Sequence, residues 1–293
     1  MDKSENLTAH SARGYPDAEV KRFDTELQKL RNETVALSLD LTHLAGHLTN
    51  PRARTFANEG AGRRLPLVAR SAENIYRIYP PGRTSFLTRD ECSDIAINLH
   101  AFAINVYGLF DNIAWVCVLE AGQTLSPMKI GLFKAECQSF VPAVLKTYLA
   151  QPTTTNWFNT YGKVYRDSTA HRIAPYLPSR AYTPEEGARW QELHKQSHQQ
   201  LFGAAEAMVN DRALGHRMLD AHDTLEQEKE KLGSNSLLFA LSLTGADATP
   251  PVYLHPQLLC DWGLANELVR TFAKALRQDR GWSEPIIPNV QVS

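Results

Sequence analysis

The chain has few cysteines and no targeting segment that we can recognise. Its 293 residues include four cysteines, which are far apart and never in Cys-x-x-Cys spacing: Cys92, Cys117, Cys137 and Cys260. This scarcity argues against a zinc knuckle, a thioredoxin-like redox pair and a dense disulfide framework. The N-terminal residues 1–14 lack the apolar run of a signal peptide. We therefore expect a reduced, cytoplasmic protein.

The chain also lacks an excess of charge of either sign. Lys and Arg number 31 against 32 Asp and Glu, so the formal net charge is −1. Non-specific nucleic-acid binding depends on excess Lys and Arg, so the whole-chain balance gives no reason to expect a polyanionic partner. A hydrophobic fraction of 43% excludes a disordered chain. Any binding of nucleic acid must therefore come from a local patch.

Several well-known site motifs are missing. There is no Gly-x-Ser-x-Gly elbow and no glycine-rich turn between a strand and a helix, so a hydrolase triad and dinucleotide binding lack support. Two histidine pairs, His43/His47 and His194/His198, have the i,i+4 spacing of a helical zinc site, but neither belongs to a His-Glu-x-x-His motif. We expect solvated histidines there, and neither a metal nor a cofactor in the protein.

What the sequence does contain is helical periodicity. From Asp17 onward, apolar residues recur every three or four positions between Phe23 and Leu48, and Asn50-Pro51 closes the pattern. This predicts an amphipathic helix that packs either on its own core or, alternatively, in a dimerising coiled coil. Similar patterns predict helices over residues 135–150, 155–173, 184–210, 211–232 and 256–280. The fold class we predict is all-α, an antiparallel helical bundle.

One apolar stretch, residues 95–119, is long enough to cross a membrane. Polar side chains interrupt it at five positions: Asn98, His100, Asn105, Asp111 and Asn112. Because such groups are costly in lipid, we interpret the stretch as a buried core helix and expect no membrane association. Thr88 and Glu91 form a capping box that would begin this helix, which we expect to run to about Glu120.

Residues 51–89 have a different composition. They contain eight arginines and two acids, a local net charge of +6, together with glycines and prolines that predict loops around a short helix at 67–78. This segment is either a solvated basic surface or a surface that faces an anion. Nearer the C-terminus, residues 236–243 and 251–254 predict a small β-hairpin around Thr244-Gly245-Ala246-Asp247.

These patterns suggest four regions along the chain. Residues 1–16 are predicted to be a disordered tail, and residues 17–87 to hold an N-terminal helical extension and the arginine-rich loops. Residues 88–281 would form the main helical domain, and residues 282–293 a second tail.

A cationic and aromatic cluster at residues 157–176 carries the main functional signal. Within it, Arg166-Asp167-Ser168-Thr169-Ala170-His171 resembles the Arg-x4-6-His motif of the HEPN superfamily, in which a polar residue often follows the arginine. The chain contains two other Arg-x4-His matches, Arg189/His194 and Arg217/His222. In those two matches the arginine is followed by an apolar side chain, and only Arg166/His171 ends an aromatic-rich segment shortly after the long core helix.

The resemblance extends over roughly residues 88–280 as a helical arrangement, and it implies a homodimeric ribonuclease that cleaves RNA without a metal ion. Arg166 would bind and polarise the phosphate, His171 would act as general acid or base, and Asp167 would orient one of the charged groups. Further residues are expected to contact the substrate: Lys163, Arg172, Tyr165, Asp111 and Asn112. The resemblance also raises a role as a toxin or defence ribonuclease with an antitoxin or other partner protein.

Two alternatives remain open from the sequence. Arg166 could simply be paired with Asp167, with His171 favoured by the dipole at the end of its helix. The protein could also be a non-catalytic HEPN-like helical module that binds a partner protein or a nucleotide. In that case the seam from Phe23 to Leu48 is expected to be buried in an interface between chains.

Overall fold

The computed structural model describes residues 14–241 and 251–283, except for the side chains of Ala170 and His171. The contacts divide the chain into two compact units. The smaller unit comprises Met1–Gly14, Thr84–Thr88 and Pro178–Leu237, and the larger unit comprises Tyr15–Arg83, Arg89–Leu177 and Leu238–Ser293. Most of both predicted tails, residues 1–13 and 284–293, lies outside the described residues.

The described residues are predominantly helical. In chain order the helices are α1 (Asp17–His47), α2 (Pro51–Thr55), α3 (Gly62–Ile78), α4 (Arg89–Glu120), α5 (Ala135–Gln138), α6 (Ala143–Leu149), α7 (Pro152–Trp157), α8 (Lys163–His171), α9 (Pro184–Asn210), α10 (Arg212–Glu230) and α11 (Leu254–Arg280). Single π-helical turns, Phe56–Ala61 and Phe158–Gly162, join α2 to α3 and α7 to α8, and a short 3₁₀ turn covers Pro127–Lys129. The prediction of an all-α protein is confirmed.

Two short strands accompany the helices. Strands β1 (Leu238–Phe239) and β2 (Val252–Tyr253) pair antiparallel, with Leu238 opposite Tyr253 and Phe239 opposite Val252. They lie within the two segments from which the small β-hairpin was predicted. The predicted turn at residues 244–247 lies outside the described residues.

The prediction of arginine-rich loops before the short helix is wrong, because residues 51–66 are helical, whereas the short helix predicted at residues 67–78 is the C-terminal part of α3. The Asn50 side chain caps α2 by accepting hydrogen bonds from the backbone N–H groups of Arg52 (2.9 Å) and Ala53 (3.2 Å). The glycines of this segment lie in the π-helical turn or directly after it, and Pro66 lies inside α3. The apolar face of α3 is buried at Leu65, Val68, Ala72 and Ile75, and burial of this face outweighs the local preference of Gly and Pro for loops.

Other helix boundaries also differ from the prediction. The helix expected over residues 135–150 is divided into α5 and α6, with Pro142 directly before α6. The helix expected over residues 155–173 is instead a succession of α7, a π-helical turn and α8. In contrast, α4 and α9 match their predicted ranges closely.

The apolar seam of α1 is buried within its own unit. Leu30, Leu37, Leu41 and Leu44 are at most 1% exposed, in contact with α3 and α11. A coiled coil between two chains would need this same face, so the seam is not available for dimerisation. The interface expected along it under the partner-binding alternative is therefore absent from the described residues.

Helix α4 runs through the core of the larger unit and packs against α3, α8 and α11. It is the one helix among the described residues that is long and apolar enough to cross a membrane, and 67% of its most apolar window is buried inside the protein. This burial is what the sequence analysis expected of a core helix. Because α8 packs directly on α4, the polar side chains of α4 are close to the Arg-x4-His motif.

Two buried titratable groups in α11 couple the stability of this core to pH. His255 is fully buried, where its Nε2–H donates to the carbonyl of Tyr79 (2.6 Å) and its Nδ1 faces the hydroxyl of Tyr15 (3.3 Å). Burial lowers the pKa of His255 to about 4. Asp261 accepts hydrogen bonds from Trp157 (2.7 Å) and Gln257 (2.6 Å), and burial raises its pKa to about 7.

The two groups are expected to give stability opposite dependences on pH. Between about pH 4 and 6.5 the unfolded chain protonates His255 more than the folded chain does, so acidification lowers the free energy of unfolding by up to about 1.4 kcal/mol per pH unit. Over a similar range the folded chain protonates Asp261 more than the unfolded chain does. Acidification therefore raises the free energy of unfolding by a similar amount through this group. Chemical denaturation from pH 4 to 7 should therefore show a steeper loss on acidification in Asp261→Asn and the opposite trend in His255→Gln. The exposed His216→Gln is the matched control, and equal slopes in all three variants would contradict the assignment.

Candidate functional site

The arginine of the Arg-x4-His motif is held in place on the surface of the larger unit. Nη1 of Arg166 donates to Oδ1 of Asp167 at 2.8 Å, and the guanidinium carbon lies 5.3 Å from the centre of the Tyr107 ring on α4. The hydrogen bond to Asp167 raises the pKa of Arg166, which keeps the guanidinium charged. The Arg166 side chain is still 40% exposed. A ligand in solution can therefore reach it.

Asp111 faces Arg166 from one helical turn beyond Tyr107 on α4. Burial raises the pKa of its carboxyl group, and the positive charges of Arg166, Lys134 and Arg64 partly offset this effect. The position of Asp111 near the motif agrees with the sequence expectation. A carboxyl group with a raised pKa can hold a proton at a higher pH than an exposed aspartate.

Arg64 connects α3 to the polar side of α4. Its Nε donates to the Asn112 side chain at 2.9 Å and its Nη1 donates to the Asn105 side chain at 3.0 Å, while burial lowers its pKa. A Cβ atom on Gly108 would lie 2.4 Å from the Arg64 guanidinium carbon, so the glycine makes room for the arginine. The Asn112 side chain, which was predicted as a substrate contact, thus accepts a hydrogen bond from Arg64.

Gly60 plays a similar part in the π-helical turn before α3. A Cβ atom at Gly60 would lie 2.7 Å from the amide nitrogen of Asn112. The absence of a side chain allows the turn to approach α4 closely. Asn112 is therefore confined between Gly60 and Arg64.

The Tyr107 ring, which lies under the Arg166 guanidinium, is itself packed against other aromatic rings. Its ring stacks on Phe158 with the centroids 5.9 Å apart, and Phe158 stacks in turn on Phe133 at 3.7 Å. Burial and the charge of Asp111 raise the pKa of Tyr107 to about 12, so the hydroxyl remains a neutral hydrogen-bond donor. The guanidinium of Arg166 therefore packs on a tyrosine ring that is held by two further aromatic side chains.

The remaining predicted site residues differ in their placement. Lys163 and Arg172 are exposed at the two ends of α8. Tyr165 is only 4% exposed, its ring packs 5.3 Å from that of Phe239, and its buried hydroxyl has no hydrogen-bond partner among the described residues. It is a core residue, and the expectation that it contacts substrate directly is not met, because alternate faces of α8 point to the core and to solvent. Helix α8 ends at His171, whose side chain lies outside the described residues.

This arrangement can bind an anion with geometric definition. A guanidinium carries five N–H donors, and within the described residues that of Arg166 uses one of them, toward Asp167. The others are available for the two oxygens of a phosphate, the bidentate geometry that arginine favours. The nearby carboxyl group of Asp111 and the neutral hydroxyl of Tyr107, both on α4, add groups that can donate or accept a hydrogen bond.

Sequence reasoning missed Arg64 and Lys134 as charged neighbours of Asp111, and Asn105 as a partner of Arg64. Arg64 was hidden in a segment that was interpreted as loops, so its position on a helix facing α4 was not foreseen. The available signal was glycine: Gly108 lies inside an otherwise apolar helix, where glycine costs stability unless a close approach requires it.

The other two Arg-x4-His matches lie in the α9–α10 hairpin, where three of their four residues contact other side chains of the hairpin. Arg189 pairs with Glu228 at 3.2 Å, and the His194 ring stacks on Trp190 at 4.8 Å. His222 contacts the hydroxyl of Ser197 at 2.9 Å.

The Ser197 hydroxyl also contacts Glu226, whose carboxylate accepts from the ammonium of Lys229 at 2.8 Å. Although serine, histidine and glutamate occur here together, Ser197 is fully buried between the helices and cannot meet a substrate. The cluster is an internal polar network of the hairpin.

An open cleft of about 570 Å³ lies between α1 and α3, away from the residues of the motif. Its charged residues are already paired, since Glu73 binds both Arg31 (2.9 Å) and Arg70 (3.2 Å). Within residues 14–241 and 251–283, no group of three or more His, Cys, Asp or Glu side chains is placed to hold a metal ion.

The fold and the site together define a predominantly helical protein with an anchored, solvent-accessible arginine beside a half-buried acid. Comparison with known proteins found no matching family model, no matching curated protein and no matching solved structure.

Proposed function

We propose that this protein is a metal-independent endoribonuclease of HEPN type that acts as a cytoplasmic homodimer, as a toxin or in defence. The single observation that carries the proposal is the state of Arg166, which is charged, positioned by Asp167 and Tyr107, and still exposed. An arginine that is fixed on one side and open on the other is suited to bind a phosphate group.

The proposed chemistry assigns one task to each group. The free N–H donors of Arg166 bind the scissile phosphate and stabilise the charge that develops on it. His171 transfers a proton at the attacking 2′-hydroxyl or at the leaving 5′-oxygen. Two motifs meeting across a homodimer would supply both proton transfers, and Asp111, which faces Arg166, keeps the guanidinium oriented.

The test compares two variants of Arg166 and one control variant on a fluorescent single-stranded RNA in EDTA. Arg166→Ala is expected to lower kcat by about 100-fold or more, because an arginine that stabilises developing charge has no substitute. Arg166→Lys should restore little of this loss, since an ammonium group cannot form the bidentate contact. Arg189→Ala, in the second Arg-x4-His match, is the matched control and should cleave at the parent rate. Equal cleavage by Arg166→Ala and the parent would disprove the catalytic assignment.

A non-catalytic module that binds a partner protein is the second candidate, and one observation favours it. The α9–α10 hairpin exposes large apolar side chains, above all Phe202 (67% exposed) and Val209 (82% exposed). Exposed apolar patches often mark interaction surfaces. The same cleavage assay separates the two candidates, because this module predicts that the parent protein degrades no RNA.

A further inference from the structure

A stacked aromatic pair includes one residue of α4, the helix whose Tyr107 contacts Arg166. The rings of Phe56 and Trp115 are nearly parallel, with an interplanar angle of 3° and centroids 4.8 Å apart. Both side chains are partly exposed. Phe56 begins the π-helical turn that precedes α3, and Trp115 lies on α4.

Arg52 lies over this pair. Its guanidinium carbon is 5.1 Å from the Trp115 ring centre and 5.8 Å from the Phe56 ring centre. The side chain is exposed and has no acidic partner among the described residues, whereas Arg63, Arg70 and Arg83 of the same segment each pair with a glutamate. Arg52 thus keeps its full charge beside the rings.

The relation between this pair and the motif follows from helix geometry. Tyr107, Asp111 and Trp115 are spaced by four residues along α4, so they form successive positions on one side of the helix. Arg166 lies over the Tyr107 ring. Trp115 lies eight residues beyond Tyr107 on α4, a rise of about 12 Å along the helix axis at 1.5 Å per residue. A short stretch of single-stranded RNA can span this distance.

We infer that Trp115, Phe56 and Arg52 form a nucleobase-binding subsite for single-stranded RNA next to the phosphate bound by Arg166. This inference rests on the proposed function for its substrate class. In the complex an unpaired base stacks on the exposed face of the aromatic pair, and Arg52 moves aside to bind the adjoining phosphate. Aromatic rings and arginine planes are the groups on which proteins stack unpaired bases.

The charge of Arg52 also argues against other aromatic-seeking ligands. Methylated lysines and other cations bind to aromatic faces, but a guanidinium over the rings would repel them. The surrounding segment, residues 51–89, carries a net charge of +6 and therefore favours a polyanion. A planar base within an anionic chain satisfies both features.

The subsite can be tested with a 2′-O-methyl oligoribonucleotide, which cannot be cleaved through its 2′-oxygen. Trp115→Leu is expected to weaken its binding by about 5- to 100-fold, the range for loss of one stacked base. Arg52→Gln should lower the slope of log K against log salt by about one, because one phosphate contact is lost. Trp190→Leu, which removes a tryptophan from the α9–α10 hairpin, is the matched control and should bind like the parent.

A second measurement uses the unaltered protein, because Trp115→Leu also removes packing between α2 and α4. Irradiation with an oligonucleotide that carries 5-iodouridine should attach the base to Trp115, and peptide mass spectrometry would locate the bond. Attachment elsewhere, or undiminished binding by folded Trp115→Leu, would overturn the subsite.

The outcomes distinguish this inference from the proposed function. If Trp115→Leu loses binding and the parent protein cleaves no RNA, the subsite is supported and the proposed ribonuclease activity is excluded. If Trp115→Leu cleaves and binds RNA like the parent, the subsite is excluded and the proposed ribonuclease activity still stands. A parent protein that binds no oligonucleotide overturns both.

Discussion

Asp40→Asn is expected to lower the free energy of unfolding by about 3–5 kcal/mol, the largest stability effect of a single substitution considered for this chain. Asp40 on α1 and Arg277 on α11 form a buried ion pair in which Arg277 is 4% exposed. Asparagine removes the negative charge and leaves the guanidinium in the core without its counter-ion. Urea denaturation monitored by circular dichroism measures the change.

Two further variants separate the effect of the unpaired charge from the effect of lost side-chain packing. A double variant, Asp40→Leu with Arg277→Met, removes both charges and should recover most of the lost stability, because burying an uncompensated charge is the main cost. Glu26→Gln breaks an exposed pair with Lys29 on the same helix and should cost less than about 1 kcal/mol. Similar losses in Asp40→Asn and Glu26→Gln would show that the buried pair is not a special feature of the core.

His171→Ala is expected to lower the rate of RNA cleavage by about 10²–10⁴-fold while folding and dimerisation are unchanged. In the proposed mechanism, the imidazole is the group whose ordinary pKa allows it to exchange protons near neutral pH. The variant should therefore lose rate and also lose the part of the pH–rate profile that depends on histidine. Cleavage of a fluorescent RNA between pH 5 and 9 gives both quantities.

The control for this variant is His194→Ala, which alters the second Arg-x4-His match in the α9–α10 hairpin. Its rate and pH profile should equal those of the parent, because His194 packs on Trp190 within the hairpin and has no role in the proposed mechanism. Imidazole added to His171→Ala should restore part of the rate if the lost group is a proton carrier. Full activity of His171→Ala would refute the role of this residue.

The Asp40–Arg277 pair and the Arg-x4-His motif depend on different levels of structure. The Asp40–Arg277 pair joins positions 237 residues apart in the sequence, and no pattern in the sequence associates them. The motif, in contrast, was identified from six consecutive residues. Its chemical setting, however, needed the packing of α8 on α4.

The fold class could be predicted because it depends on local periodicity. The apolar spacing of α1, the apolar length of α4 and the cap and proline signals of α9 all act within a few residues, so the sequence reports them directly. The wrong prediction of loops at residues 51–66 also arises from reliance on local signals. Glycine and proline indicate local breaks, but the buried face of α3 and the fit of Gly60 against Asn112 depend on α4, which is distant in the sequence.

The amino-acid sequence by itself determined that this protein is helical, that α4 is a core helix, and that Arg166, Asp167 and Asp111 are candidates for one site. Only the tertiary structure decided that Tyr165 is buried while Arg166 is exposed, because that depends on which face of α8 meets the core. It also placed Arg64 beside Asp111 and stacked Phe56 on Trp115. These contacts join separate helices, and such pairings depend on shape and burial across the whole unit rather than on neighbouring residues.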